Sequence, residues 1–448
     1  MAFHSTSNDT IFALSSAAGR AGVAVVRVSG DRAGDVIDVL SARRPEARVA
    51  VLRKLVDPQT GGLIDHGLVL WFPGPASFTG EDLAEFQVHG GRAVAAALLG
   101  VLGRVEGCRL AEPGEFSMRA FENGKIDLSQ AEGLADLIDA ETETQRVQAL
   151  RQAGGVLFRL TERWRAKLIE AMGLVEAAID FSDEADVAEG AVGQAEERVR
   201  ELGDEIGSHL NDDHRGEILR DGFQVVLAGA PNVGKSSLLN VLARRDVAIV
   251  SSEAGTTRDV IEVRLDLEGL PVVVSDTAGL REASGDVERE GMRRTLARAQ
   301  DADLVIRVVD GSVGPAGVDI PAVGSSGEQI VLVNKCDLIG EAGGNDAVGD
   351  IRVSAKTGEG IAELIRSIAL VARLKTGTRE DTVITRSRHR SQLASCHQYL
   401  MAFLGKTSDV ELRAEDLRLA ADALGRISGR IDPEDVLDEV FGRFCIGK

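Results

Sequence analysis

The chain has 448 residues, with 71 acidic against 51 basic side chains and a formal net charge of −20. A surface of that sign repels phosphate backbones, which excludes general coating of nucleic acid and leaves only a local patch or a basic partner for such contacts. At 44% hydrophobic but only 4% aromatic residues the cores are built from Val, Leu, Ala and Ile, and the length predicts three units at about 150 residues each.

Short β-like runs (GVAVVRVSG, LVLWF, EFQVHG) alternate with helical stretches over residues 1–118 and predict an α+β domain. The stretch 119–215 has a different period. Leu157, Leu160, Trp164, Leu168, Met172, Val175 and Ile179 recur at spacings of three and four, as do Ala195, Val199, Leu202, Ile206 and Leu210, the pattern of bundle helices. After RDGF, the buried-strand runs FQVVLAGA, VIEVRLDLEGLPVVVSD, DLVIRVVDGS and EQIVLVNKCD alternate with helices and predict a doubly wound α/β domain over 216–376. Residues 377–448 return to the helical period, so the α/β unit is expected to be inserted between two halves of one all-α domain.

The N-terminal stretch has no basic run before its apolar residues, the first Arg being Arg20, which predicts no secretory leader, and apolar runs such as VAAALLGVL are too short to cross a bilayer. Cys108, Cys336, Cys396 and Cys445 are scattered without a CxxC pair, so neither a disulfide framework nor a thiolate zinc site is expected. The compartment they suggest is the reducing cytoplasm.

GAPNVGKSS lies between the strand run FQVVLA and the helical SSLLNVLARR, the setting in which a glycine-rich loop holds phosphate. Gly229 and Gly234 let backbone N–H groups converge on phosphate oxygens, Lys235 neutralises their charge, and Ser236 offers a hydroxyl to Mg²⁺. Asn232, Val233 and Ser237 complete this loop. DTAG (Asp276, Thr277, Ala278, Gly279) ends a strand and would bring a carboxylate to the metal and an amide to the γ-phosphate. NKCD supplies Asn334, Lys335 and Asp337, whose carboxylate matches the N–H edge of guanine that adenine lacks. Ser354, Ala355 and Lys356 follow as a loop behind the base, and GTTRD occupies a switch-loop position with Thr257 as the second Mg²⁺ hydroxyl. Together these motifs resemble the GTP-binding domain of translation-factor-class GTPases. Leu280 stands where Ras-like enzymes carry a water-orienting Gln, and an alkyl chain cannot orient water, so another group must do so.

GRAGVAVVRVSG, FPGPASFTGED, PGEFSMRAFENGKIDLSQAE, DTAGLRE and the terminal CIGK extend the likeness along essentially the whole chain, which resembles the MnmE (TrmE) family of tRNA-modification GTPases. The resemblance implies K⁺-dependent hydrolysis, the ion replacing the charge of an arginine finger, worth ~10³ to 10⁵ in rate. Asn232 matches the residue that holds K⁺, and the surrounding loop is Ser251, Ser252, Glu253, Ala254, Gly255 and Thr256, with Ser251, Glu253 and Thr256 as ligands. Glu253 departs from the apolar residue usual in that loop. Glu288 matches the residue that acts on the attacking water, with Lys235 and Arg258 also catalytic and Arg281 a further switch residue.

The same resemblance makes the N-terminal domain a tetrahydrofolate-binding module with Arg27, Glu85 and Lys125 at matching positions, a carboxylate for the pterin edge and cations for the glutamate tail. Lys448 reaches the same folate. Cys445 is the cysteine required for tRNA modification in the family, and a cation such as Lys448 beside it favours the thiolate. The family further implies a homodimer that works with the FAD protein MnmG (GidA) in a heterotetramer or larger complex. That complex places an aminomethyl or carboxymethylaminomethyl group at C5 of the wobble uridine of certain tRNAs, from a one-carbon unit on 5-formyl- or methylene-tetrahydrofolate. Arg386, Arg388, His389 and Arg390 form a candidate tRNA patch. Two rival readings are a GTP-dependent ribosome-assembly switch, for which no basic GXXG-bearing segment is present, and a folate-dependent aminomethyl transferase with a regulatory GTPase domain.

Overall fold

A computed structural model describes residues 9–17, 19–181, 185–249, 262–276, 302–313, 328–339, 351–377, 382–405 and 410–431, together with 437, 440–442, 444, 446 and 447. The chain divides into two compact units, Met1–Ala135 with Ala153–Arg165 and Ala421–Lys448, and Asp136–Gln152 with Ala166–Ala420.

The first unit is built on strands β1 (Thr10–Leu14), β2 (Ala21–Ser29), β3 (Val51–Val56), β4 (Leu63–Phe72), β5 (Leu83–Gly90) and β6 (Cys108–Leu110), with helices α1 (Ala33–Ser41) and α2 (Arg92–Leu102) between them. The sheet order is β3-β4-β5-β2-β1-β6, antiparallel except for the β1–β6 pair. The period-two alternation of GVAVVRVSG sends Ala24, Val26 and Val28 to one face, where they pack with Phe86, Val88 and Trp71 under Ile37, Leu40, Leu98 and Leu102 of the two helices. Ile11 and Ala13 point to the other face and pack with Ala111 and Phe116, the latter on α3 (Glu115–Glu122). Helix α4 (Leu128–Asp139) follows, and Leu128 and Ala131 on it close around Phe441 and Phe444 from the C-terminal segment.

The second unit holds α5 (Glu143–Ala153), the larger part of α6 (Val156–Asp180), α7 (Ala185–Leu210) and α8 (Arg215–Asp221), followed by a second six-stranded sheet. Of the residues picked by helical spacing, Leu157, Trp164, Leu168, Val175, Ala195, Val199, Leu202 and Ile206 are all buried, so the stripe is the packing face. The second sheet comprises β7 (Phe223–Ala228), β8 (Glu262–Leu267), β9 (Leu270–Asp276), β10 (Leu304–Asp310), β11 (Glu328–Asn334) and β12 (Ile351–Arg352), in the order β12-β11-β10-β7-β9-β8. Every neighbouring pair is parallel except β8–β9. The run VIEVRLDLEGLPVVVSD is therefore a hairpin, turning at Glu268 and Gly269, both with positive φ. The outer side of β8 is paired by the segment after helix α9 (Lys235–Ala243): Ala248 bridges Leu265, the Ile249 N–H donates to Arg264 O, and the Asp266 N–H donates to Val247 O. Helices α10 (Ile361–Thr376), α11 (Ser387–Gly405) and α12 (Val410–Ser428) complete the order. Continuous apolar runs are the mark of strands buried on both faces, and all seven residues of β9 are buried. Among the described residues no helix is long and apolar enough to cross a membrane.

Candidate functional site

The carboxyl ends of β7, β9, β10 and β11 lie along one edge of the second sheet, where open α/β sheets bind ligands. The phosphate loop runs from β7 into α9. Gly234 has φ +99°, and a Cβ there would lie 2.2 Å from Asn334 Nδ2, so the position takes no side chain. Asn334 is 1% exposed, and its amide joins three loops: Nδ2 donates to Val233 O at 2.8 Å, and Oδ1 accepts the Ala355 N–H at 3.1 Å. The Ser354 hydroxyl donates to Asp337 Oδ1 at 2.6 Å, orienting a carboxylate that is otherwise exposed to a base. Lys335, in the left-handed region with φ +64°, places Nζ 2.5 Å from Asp310 Oδ2 and ties the end of β11 to that of β10. Burial pushes the Asp310 carboxyl up, but the Lys335 ammonium and Ser312 outweigh it and hold the group below the usual carboxylate range.

Lys235 donates to the carbonyls of Gly229 and Ala230 at 2.8 and 3.0 Å. The Ser236 hydroxyl donates to Asp276 Oδ2 at 2.7 Å, so two hard oxygens converge beside the phosphate loop, a donor set that suits Mg²⁺. Among the described residues no three His, Cys, Asp or Glu side chains form a metal cage. Asn232 is exposed at the head of the loop with φ +65°. Ser237 and Lys356 are exposed beside Ser236 and Ala355. Ser251, Ser252, Glu253, Ala254, Gly255, Thr256, Thr257, Arg258, Thr277, Ala278, Gly279, Leu280, Arg281 and Glu288 lie outside the described residues. The Asp310–Lys335 pair went unnoticed in the sequence, where Asp310 reads only as the end of a strand run.

In the first unit, Arg27 and Glu85 face each other across β2 and β5, with Arg27 Nε and Nη2 on Glu85 Oε1 at 3.1 and 2.8 Å. The guanidinium lies over Phe78 and Phe116 at 5.4 and 5.8 Å from the ring centroids. Lys125 donates to Pro75 O at 2.8 Å, on the loop that also carries Phe78. The C-terminal segment reaches the same sheet: Ile446 bridges Pro113, and the Ser15 hydroxyl donates to Gly447 O at 2.9 Å. Ala13, two residues before Ser15, is the strand partner of Arg27. Cys445 and Lys448 lie outside the described residues. An aromatic ring beside a guanidinium and a carboxylate is a flat, polar-rimmed surface that fits a heteroaromatic ring. Beneath it runs a network invisible in the sequence: Glu115 takes Arg109 at 2.6 Å and Arg119 at 3.0 Å, and Glu81 takes Arg119 at 3.1 Å and the Ser29 hydroxyl at 2.8 Å.

The candidate tRNA patch is not a basic surface. Arg386 pairs with Asp136 at 2.6 Å, Arg390 pairs with Asp212 at 2.6 Å and Glu217 at 3.1 Å, and His389 is fully buried. In a strongly acidic chain, carboxylates distant in sequence consume these cations. Cys108, Cys336 and Cys396 are free thiols, and burial pushes Cys396 up to about 12, an inert structural group. His89 binds Asp65 through its backbone N–H and Nδ1, at 2.8 and 2.9 Å.

The family model described as MnmE helical domain matches residues 128–445, and that described as GTP-binding protein TrmE N-terminus matches residues 10–125. This chain belongs to the MnmE family of tRNA modification GTPases. Proteins named tRNA modification GTPase MnmE from Parvibaculum lavamentivorans and Rhodopseudomonas palustris are 53% and 52% identical to it. The first match covers 98% of this chain and 100% of the relative, the second 99% of each. Among solved structures, the G domain of the T. maritima FeoB iron transporter is 30% identical over 33% of this chain and 98% of its own, with a TM-score of 0.25, too low to bear on the fold.

Proposed function

We propose that this chain hydrolyses GTP and takes part in the modification of tRNA, with the second sheet as its nucleotide site. The observation that carries the reading is the Asn334 amide, which joins the phosphate loop to the Asp337–Ser354 pair in a member of this family. Asp337 selects guanine, Lys235 and the loop amides hold the phosphates, and Ser236 with Asp276 and Thr257 would hold Mg²⁺. When bound, Mg²⁺ and K⁺ offset the negative charge that builds on the phosphates. Asn232, Ser251, Glu253 and Thr256 would hold K⁺, and Glu288 would orient the attacking water in place of the missing Gln.

The proposed folate site is Arg27, Glu85 and Lys125 with Lys448, and the tail would present Cys445 there. The finer reading comprises a cytoplasmic homodimer whose GTPase domains close on each other, the FAD protein MnmG as partner, a folate-carried one-carbon unit and C5 of the wobble uridine as target. It also includes a division into 1–118, 119–215, 216–376 and 377–448, with the GTPase domain inserted between helical halves. The docking of Gly447 near the strand partner of Arg27 supports the folate site. Nucleoside analysis of tRNA from cells lacking this protein tests the reading: loss of the C5 substituent is expected, and unchanged wobble uridines with impaired ribosome assembly would overturn it.

A further inference from the structure

The β8–β9 hairpin has an unusual place in the chain. Residues 250–261, with the GTTRD loop, run directly into β8, and β9 ends at Asp276, the first residue of DTAG. One six-pair hairpin therefore joins both sequence segments expected to face the γ-phosphate, and such a ladder moves as a unit. Its turn is held at the opposite end by the start of α5. Thr144 gives both its backbone N–H, at 3.4 Å, and its hydroxyl to Gly269 O. On the same segment, Glu141 takes Arg264 Nη1 of β8 at 3.1 Å. On the other side of the turn, Arg373 of α10 pairs with Glu268.

The holding segment is itself rigid. Gln145, 8% exposed, accepts the N–H groups of Glu141 and Thr142 through Oε1, at 3.0 and 3.1 Å, and donates to Arg220 O at 2.9 Å. A cavity of about 620 Å³, lined in part by Glu141, Gln145, Arg220 and Arg264, lies beside it. The contact between latch and turn consists of a few polar bonds.

We infer that Thr144 is a positioning residue for GTP hydrolysis: it latches the hairpin turn, and so fixes the strand ends that adjoin the two segments expected to face the phosphate, and couples those strand ends to α5. The inference rests on the GTPase reading above and names a residue that touches neither nucleotide nor metal. Displacement at one end of the ladder is transmitted to the other, so nucleotide bound at the strand ends changes the strain on the Thr144–Gly269 contact.

The test uses the full chain with Thr144→Val, which removes the hydroxyl and keeps the branched shape, and Thr144→Ser, which restores it. Two readouts are taken, steady-state GTP hydrolysis and hydrogen exchange of the 141–153 amides with GDP and with a non-hydrolysable GTP analogue. Thr144→Val is expected to lower kcat about three- to tenfold, the factor one hydrogen bond carries, with GDP affinity unchanged, and Thr144→Ser to recover the parent rate. The difference in exchange between the two nucleotides, present in the parent, is expected to vanish in Thr144→Val. Equal kcat, or an exchange difference preserved in Thr144→Val, overturns the latch. A parent that binds guanine nucleotide without hydrolysing it overturns the GTPase reading instead, and the exchange comparison still decides on the latch.

Discussion

Gly447→Ala perturbs the docked tail at one atom. Gly447 has φ +99°, a conformation that costs an L-residue roughly 1–2 kcal/mol. The added Cβ would also lie 2.4 Å from Leu14 O and 2.9 Å from Leu14 C, which are backbone atoms of β1 and cannot rotate aside. The tail must shift or leave, and leaving forfeits the bond from the Ser15 hydroxyl, worth about 0.5–1.5 kcal/mol. These contributions are not additive, and a net loss of about 2–3 kcal/mol lowers the docked population roughly 30- to 150-fold at about 1.4 kcal/mol per factor of ten. Hydrogen exchange of the 437–447 peptide should accelerate, and nucleoside analysis should show tRNA modification lost while GTP turnover stays at the parent rate. A variant with parental exchange and full modification would refute the reasoning, because it would mean that docking at Leu14 and Ser15 does not present the end of the chain to the proposed folate site.

Replacing Asp337 with Asn should weaken GTP binding by about 10- to 150-fold, the range for a hydrogen bond to a charged group, and isothermal titration of both nucleotides should find GTP no longer favoured over ATP. Exchanging K⁺ for Na⁺ should slow hydrolysis strongly with nucleotide affinity unchanged; equal rates would remove Asn232 from the ion site. Burial raises the Glu115 carboxyl, but the bonds from Arg109, the Glu112 N–H and Arg119 outweigh it, so its folded pKa lies below the unfolded one. Its stabilisation is therefore complete above the unfolded pKa, near 4.5, and is lost as pH falls through the depressed folded value. Glu115→Gln should flatten that acid limb in denaturant titrations, and an unaltered limb would assign it to other carboxylates.

Local period and glycine-punctuated loops were legible without coordinates, because both are properties of contiguous residues. GVAVVRVSG became β2, the Trp164 stripe became the buried face of α6, and the loop before Lys235 took the strand-to-helix setting its spacing demanded. Pairings between distant segments were not legible. Nothing near Arg386 in sequence announces Asp136, 250 positions away, so a run of cations that reads as a candidate patch includes two, Arg386 and Arg390, that are paired with distant carboxylates. The Arg109–Glu115–Arg119 network escaped in part for the same reason: Arg109 lies on a strand and Glu115 on the following helix, and the Glu115–Arg119 spacing of four is also common on helices that bury nothing. Direction was ambiguous too: VIEVRLDLEGLPVVVSD has the apolar density of parallel strands, and only the positive φ at Glu268 and Gly269 folds it back on itself.

The pairing of Val247, Ala248 and Ile249 along the outer side of β8 has a consequence for the whole sheet. An uncovered strand margin is a template for another chain, and here three residues of the same chain occupy it. Ile249 is bonded to Arg264, and Glu262 is paired with Ser275. Ile249 and Glu262 are thereby anchored on the same strand, one by backbone bonding along its outer side and the other by its ladder to β9.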